Sequence, residues 1–375
     1  MNDLQTIRQH FPILSRVTYL NSCSLGALSN QAEKELARYL DRWHERGAAA
    51  WYEEWMGQLA AMRTAVAGLI QAKPGEIALL PSTSAALSVV AESVPTGSRN
   101  RVVVADLDFP TLPYQWMAKP EIEVVRVRSR DGVGIDPEQF AEVVDERTLF
   151  LATSHVFYST GFVQDIGRLA QIAKAAGAFS LIDGYQAAGQ IPIDVATAGV
   201  DFYTTGPLKW LCGGPGLSYL FVREDLITQL RPRITSWFAD RNQFDFNAER
   251  LEFHEDARRF ELGTPSLPSV HLALGAHRLL DEIGFEWIYD RIQTLTALLV
   301  DQLKAAGFEL TIAAPHSRSG IVMVQHPKPR ETVRALEGAG FVIDSRPGHI
   351  RVSPHFYNLE SEIAFFVDAL STLPR

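Results

Sequence analysis

A chain of 375 residues exceeds the size at which one hydrophobic core usually stops growing, so two domains are expected. Its 46% hydrophobic and 21% charged residues are those of a globular protein in water, and no apolar stretch reaches transmembrane length. A net charge of −9 argues against general binding of nucleic acid or anionic membrane; two distant cysteines, Cys23 and Cys212, make neither a disulfide framework nor a metal site. The polar first ten residues lack a signal-peptide core, so a cytoplasmic location is expected.

In chain order, the predicted strands are Ile77–Leu80, Arg101–Ala105, Ile122–Arg126, Leu149–Thr153, Phe179–Asp183, Asp201–Thr204 and Leu217–Val222. Several are unbroken apolar runs, as strands covered on both faces are. Helical spacing lies between them, clearest at Arg168–Ala176 before Gly177. This alternation predicts an α/β domain built on a mostly parallel sheet of seven strands. The last third changes character. Long helices are predicted over His271–Ile283 and Trp287–Ala306, and short strands near Phe308–Thr311, Ile321–Gln325, Phe341–Asp344 and His349–Val352. A terminal helix follows over Leu359–Leu373. The expected division is a large domain, 16–250, and a smaller α+β domain formed by 1–15 and 251–375.

Candidate site residues fall at the strand ends. Ser82, Thr83 and Ser84 stand where a strand passes into a helix, a place for phosphate and equally for a plain N-cap. Asp183 ends an apolar strand before Gly184; it suits either a cationic ring nitrogen or a turn. Lys209 has apolar neighbours and precedes Gly213-Gly214-Pro215-Gly216, an environment that makes an amine nucleophilic. Arg351, in Gly348-His349-Ile350-Arg351-Val352, needs an anionic partner: a substrate carboxylate or an internal salt bridge. Phe109 stands beyond a strand end, as a ring-stacking or a core residue.

Taken together in order, these residues resemble the class V aminotransferase family of pyridoxal 5′-phosphate (PLP) enzymes of fold type I. The layout is most similar to the kynureninase-like and isopenicillin-N-epimerase-like members. The densest stretch runs from His155-Val156 and Thr160-Gly161 through Asp183, Gln186, Gly189, Pro192, Asp194 and Asp201-Phe202 to Lys209. The resemblance implies that PLP is carried as a Schiff base on Lys209, with Asp183 at its pyridine nitrogen and Gln186 at its phenolic oxygen. Thr83 and Ser84 would hold the phosphate, Phe109 would stack on the ring, and His155 would lie near it. Thr264, after Gly263, would reach the neighbouring subunit's phosphate in a homodimer with shared sites, and Arg351 would clamp the α-carboxylate of an amino acid.

Departures from the family pattern narrow the reaction. No cysteine stands in Arg346-Pro347-Gly348-His349-Ile350-Arg351, so persulfide chemistry is not expected. Leu208 replaces the tyrosine that precedes the lysine in kynureninases, and Gln186 replaces their histidine. Gly206-Pro207-Leu208 replaces a Ser-x-His, with Thr205 as a substitute phosphate hydroxyl. The leading expectation is an aminotransferase. The alternatives are a kynureninase-like hydrolase or C–S lyase with Tyr158, Tyr185 or His355 as acid and Trp237 at the side-chain pocket, or a PLP-fold protein without catalysis.

Overall fold

The computed structural model describes residues 3–374. Strand β1 (Thr18–Tyr19) comes first, followed by the strands of the large sheet: β2 (Ile77–Leu80), β3 (Arg101–Ala105), β4 (Glu123–Val127), β5 (Thr148–Ser154), β6 (Phe179–Asp183), β7 (Phe202–Thr205) and β8 (Ser218–Val222). Their order across the sheet is β2-β8-β7-β6-β5-β3-β4. β8 runs antiparallel to both its neighbours, and every other adjacent pair is parallel.

Alternation along each strand builds a core on both faces. Val102, Val104, Phe150, Ala152, Leu181, Phe202 and Leu220 belong to one apolar cluster. Their neighbours in sequence face the other side: Val103 and Leu151 in one cluster, Ile182, Tyr203 and Phe221 in another. A sheet with two buried faces needs no polar alternation, which is why these strands read as continuous β-branched and aromatic runs. Helix Thr83–Ser93 covers the first face through Leu87 and Val90. Helix Ile166–Ala175 places Leu169 and Ile172 against the second.

Helices Asn30–Arg46 and Met56–Ile70 occupy a stretch to which the sequence assigned no element. Met56–Ile70 buries Leu59, Met62, Arg63, Val66, Ala67, Leu69 and Ile70, so it lacks the polar face that marks a helix in sequence. Helix Leu267–Ile283 packs on both, starting four residues before the predicted helix. The chain on either side of residue 250 therefore contributes to one layer.

The C-terminal sheet has the order β12-β13-β10-β9, where β9 is Leu310–Thr311, β10 Val322–Gln325, β12 Asp344–Arg346 and β13 His349–Val352. Between β10 and β12 lies β11 (Phe341–Val342), which pairs in parallel with β1 rather than joining that sheet. The single strand expected over Phe341–Asp344 is thus two strands with different partners. The β1–β11 pairing continues as a bridge from Asn21 to Ser353. This pairing lays the segment after β1 beside the end of β13. Helices Phe285–Ala305 and Glu360–Ser371 close the small core through Leu295, Leu299, Phe366 and Leu370. Among the described residues, no helix is long and apolar enough to cross a membrane.

Candidate active site

The parallel strands end on one side of the large sheet, where a doubly wound fold leaves a crevice. A cavity of about 250 Å³ lies there. Its lining includes Ser82, Thr83 and Ser84 after β2, Phe109 after β3, Ser154 at the end of β5, Asp183 at the end of β6, and Lys209 after β7.

Ser82 caps helix Thr83–Ser93 by accepting from the Ala85 amide, and its carbonyl accepts from Ala86. Among the described residues the amides of Thr83 and Ser84 have no such acceptor, as expected for the first turn of a helix. The Ser84 hydroxyl bonds Thr111, 2.6 Å away, and Thr83 bonds Ser218 at 3.2 Å. Free amides and hydroxyls at the positive end of a helix dipole make a seat for an anion.

Asp183 stands in register with Ser154 on β5 and Thr204 on β7. Its Oδ1 accepts from the Tyr185 amide at 2.9 Å, and Oδ2 has no hydrogen-bond partner among the described residues. Burial raises the carboxyl pKa, while the Tyr185 amide and the Lys209 charge oppose that rise. A proton-bearing cation at Oδ2 would remove the penalty.

Lys209 sits in the loop between β7 and β8, held from behind by the segment after β1. The Gly26 amide donates to Leu208 O, and a Cβ on Gly26 would lie 2.1 Å from Lys209 O. Only glycine permits that approach. Nζ forms no ion pair with any described residue; it lies 5.0 Å from the Tyr185 ring centroid and 5.9 Å from that of Phe109. Burial, aided by the charges of Arg351 and Arg346, pulls its pKa down to about 8 against the opposing influence of Cys23 and Asp183. Phe109 is 46% exposed and meets Tyr158 edge to face at 5.2 Å. Gln186 also lines the cavity; its Nε2 donates to Cys23 O and its Oε1 accepts from Trp210, which leaves one amide hydrogen free.

Other sequence candidates lie elsewhere. His155 is buried beside the cavity, its Nδ1 3.0 Å from the Tyr203 hydroxyl, and desolvation lowers its pKa to about 4. Thr205 donates its hydroxyl to Gly184 O. His355 is a neutral core ring: Nε2 faces Trp210 O, Nδ1 accepts from the Phe356 amide, and burial lowers its pKa to about 3. Thr264 is exposed and lines a different cavity with Trp43, Trp51 and Trp55, so it does not reach the Lys209 of its own chain. Trp237 packs with Phe238 and Phe246 beside a third cavity. Arg351 is also outside the lining. It is buried and ion-paired with Asp344, which makes the internal salt bridge the observed partner.

The sequence reading overlooked Asp344 and Ser24 as partners of Arg351. The signal was present: Pro347-Gly348 closes a hairpin, and counting outward from it pairs Arg346 with His349 and Asp344 with Arg351. Ser154, Val156 and Thr111 were likewise unannounced lining residues. They follow from strand ends and are silent as motifs.

An amine without an ion-pair partner, a carboxylate oxygen without a donor, and free amides at a helix N-terminus converge on one cavity. That donor set fits PLP: Lys209 for its carbonyl carbon, Asp183 for its ring nitrogen, and the Ser82–Ser84 turn for its phosphate. Comparisons with known proteins agree. The description "Aminotransferase class-V" matches residues 25–365. YcbU, an uncharacterized aminotransferase of Bacillus subtilis (strain 168), is 35% identical over 364 residues, covering 97% of this chain and 96% of its own. A kynureninase of Bacillus mycoides (strain KBAB4) is 28% identical over 395 residues, covering 100% of this chain and 92% of the relative. A solved C-DES mutant with glycine covalently linked to its PLP cofactor superposes with a TM-score of 0.91 at 21% identity, covering 98% of this chain and 99% of that one. At that identity it shows the fold alone. With the family match spanning nearly the whole chain and the cavity meeting the cofactor's needs, the chain belongs to the class V aminotransferase family of PLP-dependent enzymes.

Proposed function

We propose that this enzyme is an aminotransferase acting at the α-carbon of an amino acid, with Lys209 as the cofactor's attachment point. The observation that carries the reading is the meeting of Lys209, Asp183 and the start of helix Thr83–Ser93 in one cavity. When bound, PLP supplies an electron sink for the pair released at the α-carbon. Asp183 holds a proton at the ring nitrogen, for which its burial and unpartnered Oδ2 are suited. Lys209 is partly desolvated and has no ion-pair partner among the described residues, so as a free amine it takes the proton from the α-carbon and delivers it to the cofactor's former carbonyl carbon, on the other side of the nitrogen. The Thr83 and Ser84 amides anchor the phosphate, Phe109 offers a ring face, and the free Gln186 hydrogen serves the phenolic oxygen. In a homodimer, the exposed Thr264 supplies a further phosphate contact to the partner's site.

A second reading, cleavage of the substrate side chain, draws on Tyr158 and Tyr185 in the cavity wall. Burial raises the Tyr185 phenol to about 12, so it keeps its proton for donation. Against hydrolysis by the kynureninase route stands Leu208, a lining residue that cannot donate. Two measurements test the proposal. Borohydride reduction of PLP-loaded protein, followed by peptide mass mapping, should place a phosphopyridoxyl group on the Lys209 peptide and none in Lys209→Ala. Keto-acid release from amino acids beyond one equivalent per site should then require an amino acceptor; continued turnover without one would select side-chain cleavage.

A further inference from the structure

The ladder between β3 and β5 ends early. It reaches Val103 opposite Leu151, although β3 runs on to Ala105 and β5 to Ser154. On their other sides both strands stay paired to the end, Ala105 with Val127 and Ser154 with Asp183. The connections leave this point on opposite faces of the sheet. Helix Thr111–Met117, after β3, buries Leu112 and Trp116 in the cluster on the first face, and helix Ile166–Ala175, after β5, covers the second. Such a reversal opens a crevice between two strands, and ligands of doubly wound sheets bind there.

The side chain of Asp108 fills that opening. Oδ2 accepts from the Ala105 amide at 2.7 Å; Oδ1 accepts from the Ser154 amide at 2.7 Å and from the Thr153 hydroxyl at 3.0 Å. Thr153 in turn accepts from Gln164 at 3.0 Å. The carboxyl is buried without an ion-pair partner among the described residues, and burial pushes its pKa up to about 7 against those three donors. A buried acid with no countercharge is a costly way to close a turn. Here it links two strand ends that both border the cavity: Ser154 lines it on one side, and Phe109, the residue after Asp108, lines it on the other.

Phe109 needs such a link. Its ring is nearly half exposed, so packing does not fix it, yet Nζ of Lys209 stands over its face, 5.9 Å from the centroid. The backbone sets the ring's direction. It is held on one side by the Asp108 carboxylate and on the other by the amide of buried Leu112, which donates to Phe109 O. Resting on the PLP reading above, we propose that Asp108 is a positioning residue for the cofactor: by closing the gap between β3 and β5, it holds the face of Phe109 toward the cofactor ring.

The test is a double-mutant cycle on PLP retention. PLP-loaded protein is diluted into phosphate, which competes for the anion seat, and release is followed by decay of the visible band. Asp108→Asn keeps the shape and turns one acceptor into a donor that faces a strand-end amide. It should speed release about tenfold, the size expected when a buried hydrogen bond is broken. Phe109→Leu should itself release PLP faster, and adding Asp108→Asn to it should change the rate by less than about twofold. Thr153→Val removes one donor and keeps the charge. It should follow the same pattern with a smaller rise, and it decides the matter if Asp108→Asn does not fold. Equal acceleration in both backgrounds would show that Asp108 acts on the sheet alone. That result, no acceleration in either background, or wild-type retention in Phe109→Leu overturns the inference and leaves the PLP reading standing. If wild-type protein takes up no PLP and shows no visible band, the PLP reading itself falls and takes this inference with it.

Discussion

At Lys209 the decisive quantity is proton affinity. An ordinary lysine has a pKa of 10.5, and this one is lowered to about 8. The amine is nucleophilic only without its proton, so PLP uptake by the apoenzyme should speed up as pH rises toward about 8 and level off above it. A solvated lysine would keep gaining rate up to its ordinary pKa. Measuring the rate of visible-band growth from pH 6 to pH 10 separates the two; a rate still climbing steeply beyond pH 9 would show that burial does not govern this residue. At this scale the sequence was informative where chemistry and apolar context coincide, as at Lys209 and Asp183. It was less so for Arg351, because an arginine on a strand needs an anion and the sequence does not say whose. Gln186 shows a further limit: its place in the lining was legible, and its engagement by Cys23 O and Trp210 was not.

Between elements, Glu261 makes a junction with consequences for the site. Arg63 on helix Met56–Ile70 reaches it with three hydrogen bonds of 2.7 to 3.0 Å, and the Leu79 amide donates to the same carboxylate at 2.9 Å. β2 is an edge strand, so the Leu79 amide would otherwise be left unpaired. Glu261 thereby ties a helix, the strand that leads to Ser82, and the segment that leads to Thr264. Removing Arg63 would leave a buried carboxylate uncompensated. Arg63→Ala should therefore cost about 3–5 kcal/mol in chemical denaturation. A loss below about 1 kcal/mol would mean that water reaches the carboxylate. The sequence named strands β2, β3, β6 and β13 to the residue, since apolar runs between turn signals mark them. It missed helices Asn30–Arg46 and Met56–Ile70 and the splitting of β11 from β12. Burial on most sides hides Met56–Ile70, and pairing with a strand over 300 residues away decides the splitting of β11; Asn30–Arg46, which buries only Ala32, Glu35 and Tyr39, carries a helical pattern that the sequence reading passed over.

For the molecule as a whole, the homodimer is a proposal about where a complete site resides. The cavity holds Lys209, Asp183 and the helix start within one chain, while Thr264 stands exposed and apart. If Thr264 completes the partner's phosphate seat, the two halves can be damaged separately. Lys209→Ala removes the attachment point, and Thr264→Glu sets a carboxylate against the phosphate in the neighbouring subunit. In a mixed dimer, one site carries both defects and the other carries neither. Co-expressed and randomly paired, the two variants would form mixed dimers half the time, so about a quarter of the wild-type number of sites should be intact. The measurement is the amount of borohydride-fixed PLP per subunit after gel filtration, for each variant alone and for the mixture. Recovery toward a quarter, from two variants that each retain little, requires that sites be shared. Thr264→Glu alone holding PLP as wild type does would confine each site to its own chain.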